Sequence, residues 1–135
     1  MVWVFPIGKR DGLVDLFTKG DYHVLQVAGN KQLSFFAGGW GRGECQAPLP
    51  VNWFNHWHHL AGVCDGSNFR LYVDGVLKGT TRLPDRINLS APNKWTIGRN
   101  EEFPGQRIFD GYMDHIKIFA APLSANEIRA LSRLK

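Results

Sequence analysis

The chain has 135 residues, 44% hydrophobic and 21% charged, with 16 Lys and Arg against 12 Asp and Glu for a net charge of +4. That composition reads as one globular domain over 1–135 and excludes a coiled coil, a disordered tail and, with no apolar run near ~20 residues, a membrane helix. The bases are dispersed, Lys9-Arg10 being the only adjacent pair, so no stripe for nucleic acid forms.

Taken in chain order, Val2–Phe5, Leu13–Thr18, Tyr22–Val27 and Leu33–Ala37 are short runs of β-branched and aromatic residues bounded by Gly, Asp, Asn or Lys, which predicts strands. Gly38–Asn55 reads as a long loop. Trp57–Val63 is an apolar strand. Asn68–Leu77 is the clearest hairpin, with Phe69, Leu71 and Val73 alternating with Arg70 and Tyr72 up to an Asp74-Gly75 turn. After a second long loop, Arg82–Lys94, come a short strand at Trp95–Ile97 and an alternating one at Gly111–Phe119. Ser124-Ala125-Asn126-Glu127 is a capping box, with Leu123 and Ile128 at staple spacing, so a single C-terminal helix should lie on the outside. Many short strands at even spacing with one terminal helix predict an all-β, two-sheet antiparallel sandwich.

Two cysteines, Cys45 and Cys64, fit neither a zinc site nor a disulfide scaffold. A hairpin returning near Trp53 would set them opposite one another for one bridge; otherwise they are two small buried apolar side chains. His56, His58 and His59 cannot converge on a metal from one strand, because His59 points away from the other two. They are expected to be structural.

Five blocks stand in order: Trp57–Gly66, Leu71–Gly75, Trp95–Asn100, Phe109–Phe119 and Leu123–Ile128. With their spacing, the sequence from about Trp3 to Leu134 resembles the laminin-G-like jelly-roll domain of the concanavalin A-like lectin/glucanase superfamily. Trp3-Val4-Phe5-Pro6, Thr18–Asp21 and Leu33–Phe36 are further similar to copies of that domain appended to bacterial β-galactosidases and related glycosidases. The resemblance implies a jelly roll serving as an accessory, sugar-binding module of an extracytoplasmic parent enzyme. Cys64 departs from the Tyr usual there. Family members also carry a few dozen residues ahead of the strand matching Val2–Phe5, so the opening strands are expected to be missing, with a longer protein, a partner subunit or self-association closing the sheet.

Saccharides are held by aromatic faces against the ring C–H groups and by planar polar side chains on the hydroxyls. Trp40, in the Gly38–Gly43 loop with Arg42, is the leading candidate, followed by Trp53. Arg99, Asn100 and Glu101 follow a strand end and would supply polar contacts. Trp3, Trp57 and Trp95 fall in strand patterns and are read as core. Some relatives hold a structural calcium near the strand matching Gly111–Asp114, but Asp114 alone cannot make a site and no metal or cofactor is assigned.

No catalytic residue is assigned either. The Glu-x-Asp-x-x-Glu strand of the superfamily's glucanases does not occur. Asp110 and Asp114 would stand about 13 Å apart on a strand, beyond the ~5–5.5 Å of a retaining pair. The expected function is therefore a carbohydrate-binding module. The alternative is a structural or protein–protein domain packing on a catalytic unit.

Overall fold

A computed structural model describes all residues, Met1–Lys135. The strands are β1 (Val2–Pro6), β2 (Leu13–Lys19), β3 (His23–Ala28), β4 (Gln32–Phe36), β5 (Cys45–Pro48), β6 (His58–Cys64), β7 (Asn68–Val73), β8 (Val76–Arg82), β9 (Trp95–Ile97) and β10 (Gly111–Asp114), followed by α1 (Ala125–Leu131). They form two five-stranded antiparallel sheets: sheet A in the order β10-β1-β6-β7-β8, and sheet B in the order β5-β4-β3-β2-β9. The chain passes from A to B after β1, back after β5, and crosses twice more for β9 and β10, giving a jelly-roll-like sandwich.

Pleating explains the core. Val2, Leu60 and Val73 lie in register across three strands of sheet A, and all three are buried. Val27 and Leu33 do the same in sheet B, beside Ala47. In-register residues share a face, so these rows meet between the layers. The rings of Phe35 and Phe69 make an edge contact across the gap, 5.4 Å between centroids. Gly62 lies directly under the Phe35 ring, where any side chain would collide with it.

The β7–β8 turn is the one that Asp74-Gly75 suggests. Both residues have positive φ, 51° and 78°, as a two-residue hairpin turn requires. Gly75 also approaches Ser132 so closely that a Cβ would strike it. This anchors α1 to the outer face of sheet A, where Ile128 is buried against Ala61, Val63 and Tyr72, with Leu123 packing alongside. Ser124 and Glu127 form the reciprocal cap.

Two expectations need correction. Cys45–Pro48, inside the Gly38–Asn55 stretch read as a long loop, is a strand: β5 is an edge strand paired only with β4, a position that tolerates its Pro48. The strand expected over Gly111–Phe119 stops at Asp114, because His115 adopts φ 48° and turns the backbone out of the sheet. As for the cysteines, they sit in opposite sheets and both thiols are free.

Candidate functional site

Sheet B ends in loops that are tied together by hydrogen bonds. The β2–β3 turn is the hub. On one side, Gly39 N donates to Tyr22 O at 3.0 Å, and Gly38 N donates to His23 Nδ1 at 3.2 Å. These bonds fix the β4–β5 loop that carries Trp40. On the other side, Asn100 Nδ2 donates to Gly20 O at 3.0 Å and Asp21 N donates to Glu102 Oε2 at 2.8 Å. Thr18 and Thr96 both donate to Arg99 O at 2.9 Å.

The His23 ring joins two loops. Because Nδ1 accepts from Gly38, the proton sits on Nε2, which donates to Leu89 O at 2.9 Å. Burial lowers its pKa below the usual histidine value, and the nearby Lys19 charge acts in the same direction. The neutral ring is thus the one the loop is built around.

Beneath the turn lies a buried charge cluster. Asp15 is fully buried with no hydrogen bond to either carboxylate oxygen, and Arg107 Nη1 stands 3.8 Å from it and 3.6 Å from Asp21. Burial pushes the Asp15 pKa up to about 6 against the pull of the Arg107 charge. Arg107 is itself clamped over the Phe103 ring at 3.4 Å.

Among the residues expected to contact a ligand, Trp40 is 74% exposed, and Arg42, Arg99 and Glu101 are exposed as well. Trp40 follows β4 and Arg99–Glu101 follow β9, and both loops are tied to the β2–β3 turn, one through Gly39 to Tyr22 and the other through Asn100 to Gly20, so one end of the sheet holds both. Glu101 Oε1 accepts from Lys94 N at 3.2 Å.

Trp53 and Asn100 are corrected. Trp53 is 4% exposed, its ring stacked on His58 at 5.5 Å, so no face is free for a sugar. Asn100 is 1% exposed, and its amide is consumed by Gly20 O and by Glu102 N, the latter at 3.1 Å.

The other tryptophans are not simply core. Trp95 is 40% exposed and stacks on Phe17 at 4.8 Å. On the outer face of sheet A, Trp57, Phe5 and the exposed Tyr112 form a row with centroid spacings of 5.5 and 5.9 Å, and Trp3 packs on His59 at 5.3 Å. A signal was available: Trp3 and Phe5 alternate with Val2 and Val4, so they must face away from the core.

The histidines of β6 are structural. His58 bonds Asp74 and Asn52 O, while His59 is fully buried with neither ring nitrogen bonded. No group of three or more His, Cys, Asp or Glu stands close enough to share a metal ion.

Comparison with known proteins follows from this geometry. No curated protein matches the sequence. Among solved structures, one described as a candidate carbohydrate-binding protein from Bacteroides ovatus superposes with TM-score 0.77 at 17% identity, over 95% of this chain and 38% of that one. A heptameric serum-amyloid-P-like pentraxin from Limulus polyphemus gives 0.76 at 16%, over 97% and 67%. Domain 4 of an extracellular arabinanase from Geobacillus stearothermophilus, in complex with arabinotriose, gives 0.66 at 21%, over 97% and 64%. The chain therefore spans between 38% and 67% of these relatives, and identities this low show shared fold alone. A laminin-G-like family model described as the concanavalin A-like lectin/glucanases superfamily matches residues 1–129. With nearly its whole length so matched, the chain belongs to the concanavalin A-like lectin/glucanase superfamily.

Proposed function

We propose that residues 1–135 form one non-catalytic carbohydrate-binding module, an accessory to a larger extracytoplasmic bacterial glycosidase. The observation that carries this reading is Trp40. A tryptophan ring 74% exposed, on a loop braced by backbone bonds, offers its face to a sugar without first having to be ordered. Arg42 beside it, with Arg99 and Glu101 across the sheet end, would bond hydroxyls. Binding in the similarly folded arabinanase domain supports the ligand class. The carboxylates here brace loops: Glu101 and Glu102 accept from Lys94, Asp21 and Asn93. The module would raise local substrate concentration for its parent rather than cut bonds.

The test is affinity electrophoresis against arabinan, galactan, xylan and mannan. Wild-type protein should be retarded by at least one polymer. Trp40→Ala should weaken that retardation about tenfold, the loss of about 1.4 kcal/mol, while its thermal unfolding is unchanged. No retardation by any polymer, or none lost in the variant, overturns the reading.

A further inference from the structure

The turn from β2 to β3 stands between the two loops that carry the candidate contacts, and its last residue is a tyrosine. Tyr22 N donates to Lys19 O at 3.2 Å, closing the turn, and Gly20 within it has φ 54°. That closure uses only the Tyr22 backbone, so the ring contributes nothing to it. Nor is the ring core: Tyr22 is 39% exposed and its hydroxyl bonds no protein group. Trp95 is stacked on Phe17 and Tyr112 packs on Phe5, whereas Tyr22 shares no face with another ring.

The ring is nonetheless held in place. Its Cδ1 lies 4.0 Å from the point where a Cβ on Gly39 would stand, and Gly39 has φ 106°, a conformation that favours glycine. Tyr22 O accepts from Gly39 N at 3.0 Å. The ring therefore rests against the backbone that leads directly into Trp40. On the opposite flank, the preceding residues of the turn hold the second loop: Gly20 O accepts from Asn100 Nδ2 at 3.0 Å, and Asp21 N donates to Glu102 Oε2 at 2.8 Å. Four consecutive residues, Gly20 to His23, thus bond one candidate loop on one side and the other on the other. Tyr22 is the aromatic ring at their boundary.

A tyrosine so placed offers a sugar an apolar face and a hydroxyl able both to donate and to accept. Arg42 and Arg99, one on each flanking loop, enter no ion pair and are free to bond hydroxyls. We propose, resting on the saccharide reading above, that Tyr22 is a third binding residue, under the middle of the ligand. The ligand is then a linear glycan segment that crosses the β2–β3 turn from the Trp40 loop to the Arg99–Glu101 loop, and not a single terminal sugar. Because both loops are already braced to the turn, the three contacts act together without a cost of ordering them.

The probe is whichever of arabinan, galactan, xylan and mannan retards the wild-type chain in affinity electrophoresis. Tyr22→Ala should weaken that retardation about tenfold, and Tyr22→Phe, which keeps the ring, about threefold or less, with thermal unfolding unchanged in both. A trisaccharide of the same sugar should compete about tenfold better than the monosaccharide, since one ring cannot reach both loops. Alanine retains the carbonyl that holds Gly39, so hydrogen exchange of the Gly39 amide should match the wild type. Lost binding with faster exchange there would mean a loosened loop and overturn the contact. Tyr22→Ala retarded like the wild type, while Trp40→Ala is not, overturns the role of Tyr22 and leaves the saccharide site standing. Equal competition by monosaccharide and trisaccharide overturns the crossing ligand. A wild-type chain that no polymer retards overturns both readings.

Discussion

The Asp74 carboxylate holds the His58 ring from the first position of the β7–β8 turn: Oδ2 receives Nδ1–H at 2.9 Å, while Oδ1 receives the His59 N–H at 2.8 Å. A hairpin turn on one side of sheet A is thereby locked to the strand beside it. His58 Nε2 bonds Asn52 O at 3.1 Å and its ring lies on Trp53, so the lock extends to the segment leading into β6. Both ring nitrogens face acceptors, which suits the protonated imidazole.

That pairing sets a pH window. Burial disfavours the His58 cation, but the Asp74 and Asn52 acceptors outweigh it and the pKa is raised. Burial likewise works against the Asp74 anion, and the His58 and His59 contacts overcome it, leaving its pKa lowered. A raised base stabilises below about 6.5 and loses that contribution as pH climbs through its folded value. A lowered acid stabilises above about 4 and loses it as pH falls. The pair should therefore contribute most between about pH 4 and 6.5. Asp74→Asn should drop the His58 pKa in an NMR titration and cost about 1–2 kcal/mol by urea unfolding at pH 5.5, a charged hydrogen bond discounted for the half-exposed Asp74.

His59 should act in the opposite sense. It is fully buried, packed on Trp3, and burial drives its pKa down to about 4. Between pH 6.5 and 4 the unfolded chain binds a proton that the folded one refuses, so stability falls by up to about 3 kcal/mol. His59→Leu should flatten this limb of the stability–pH profile. A variant whose profile keeps the same slope would show that the acid loss arises elsewhere.

Asp15 penalises the fold at neutral pH. Its carboxyl pKa is raised to about 6, so its contribution is intact below about 4 and is lost as pH rises through 6. Asp15→Asn should gain about 1–2 kcal/mol at pH 8, after the weakened contact with Arg107 is allowed for, and nothing at pH 4. Chemical denaturation at the two pH values reads the difference.

His23 couples pH to the Trp40 loop. Protonation would place a proton on Nδ1, where Gly38 N–H now donates, and break that bond. Because burial holds the His23 pKa below the usual histidine value, polysaccharide retardation should weaken only as pH falls below that ordinary range, and Trp40 fluorescence anisotropy should fall with it. Replacing His23 with Gln, which can accept at one end and donate at the other, should remove this pH dependence.

The hairpins, the helix cap and the sandwich class could be read locally, because strand alternation, Asp-Gly turns and a capping box act over a few neighbours. Sidedness could not. Trp53 looked like a loop platform and became core because His58, fixed by Asp74, offers it a stacking surface. Asn100 looked like a ligand contact and serves instead to hold Gly20, 80 residues away in sequence. Trp95 looked like core, yet it is 40% exposed and covers Phe17 with one face of its ring.

By itself, then, the sequence determined the elements and their family, since both are written in short-range pattern. Only tertiary structure decided which aromatic faces meet solvent and which carboxylates are buried. Those properties depend on what lies across the sandwich, and that is settled by contacts between residues far apart in the chain.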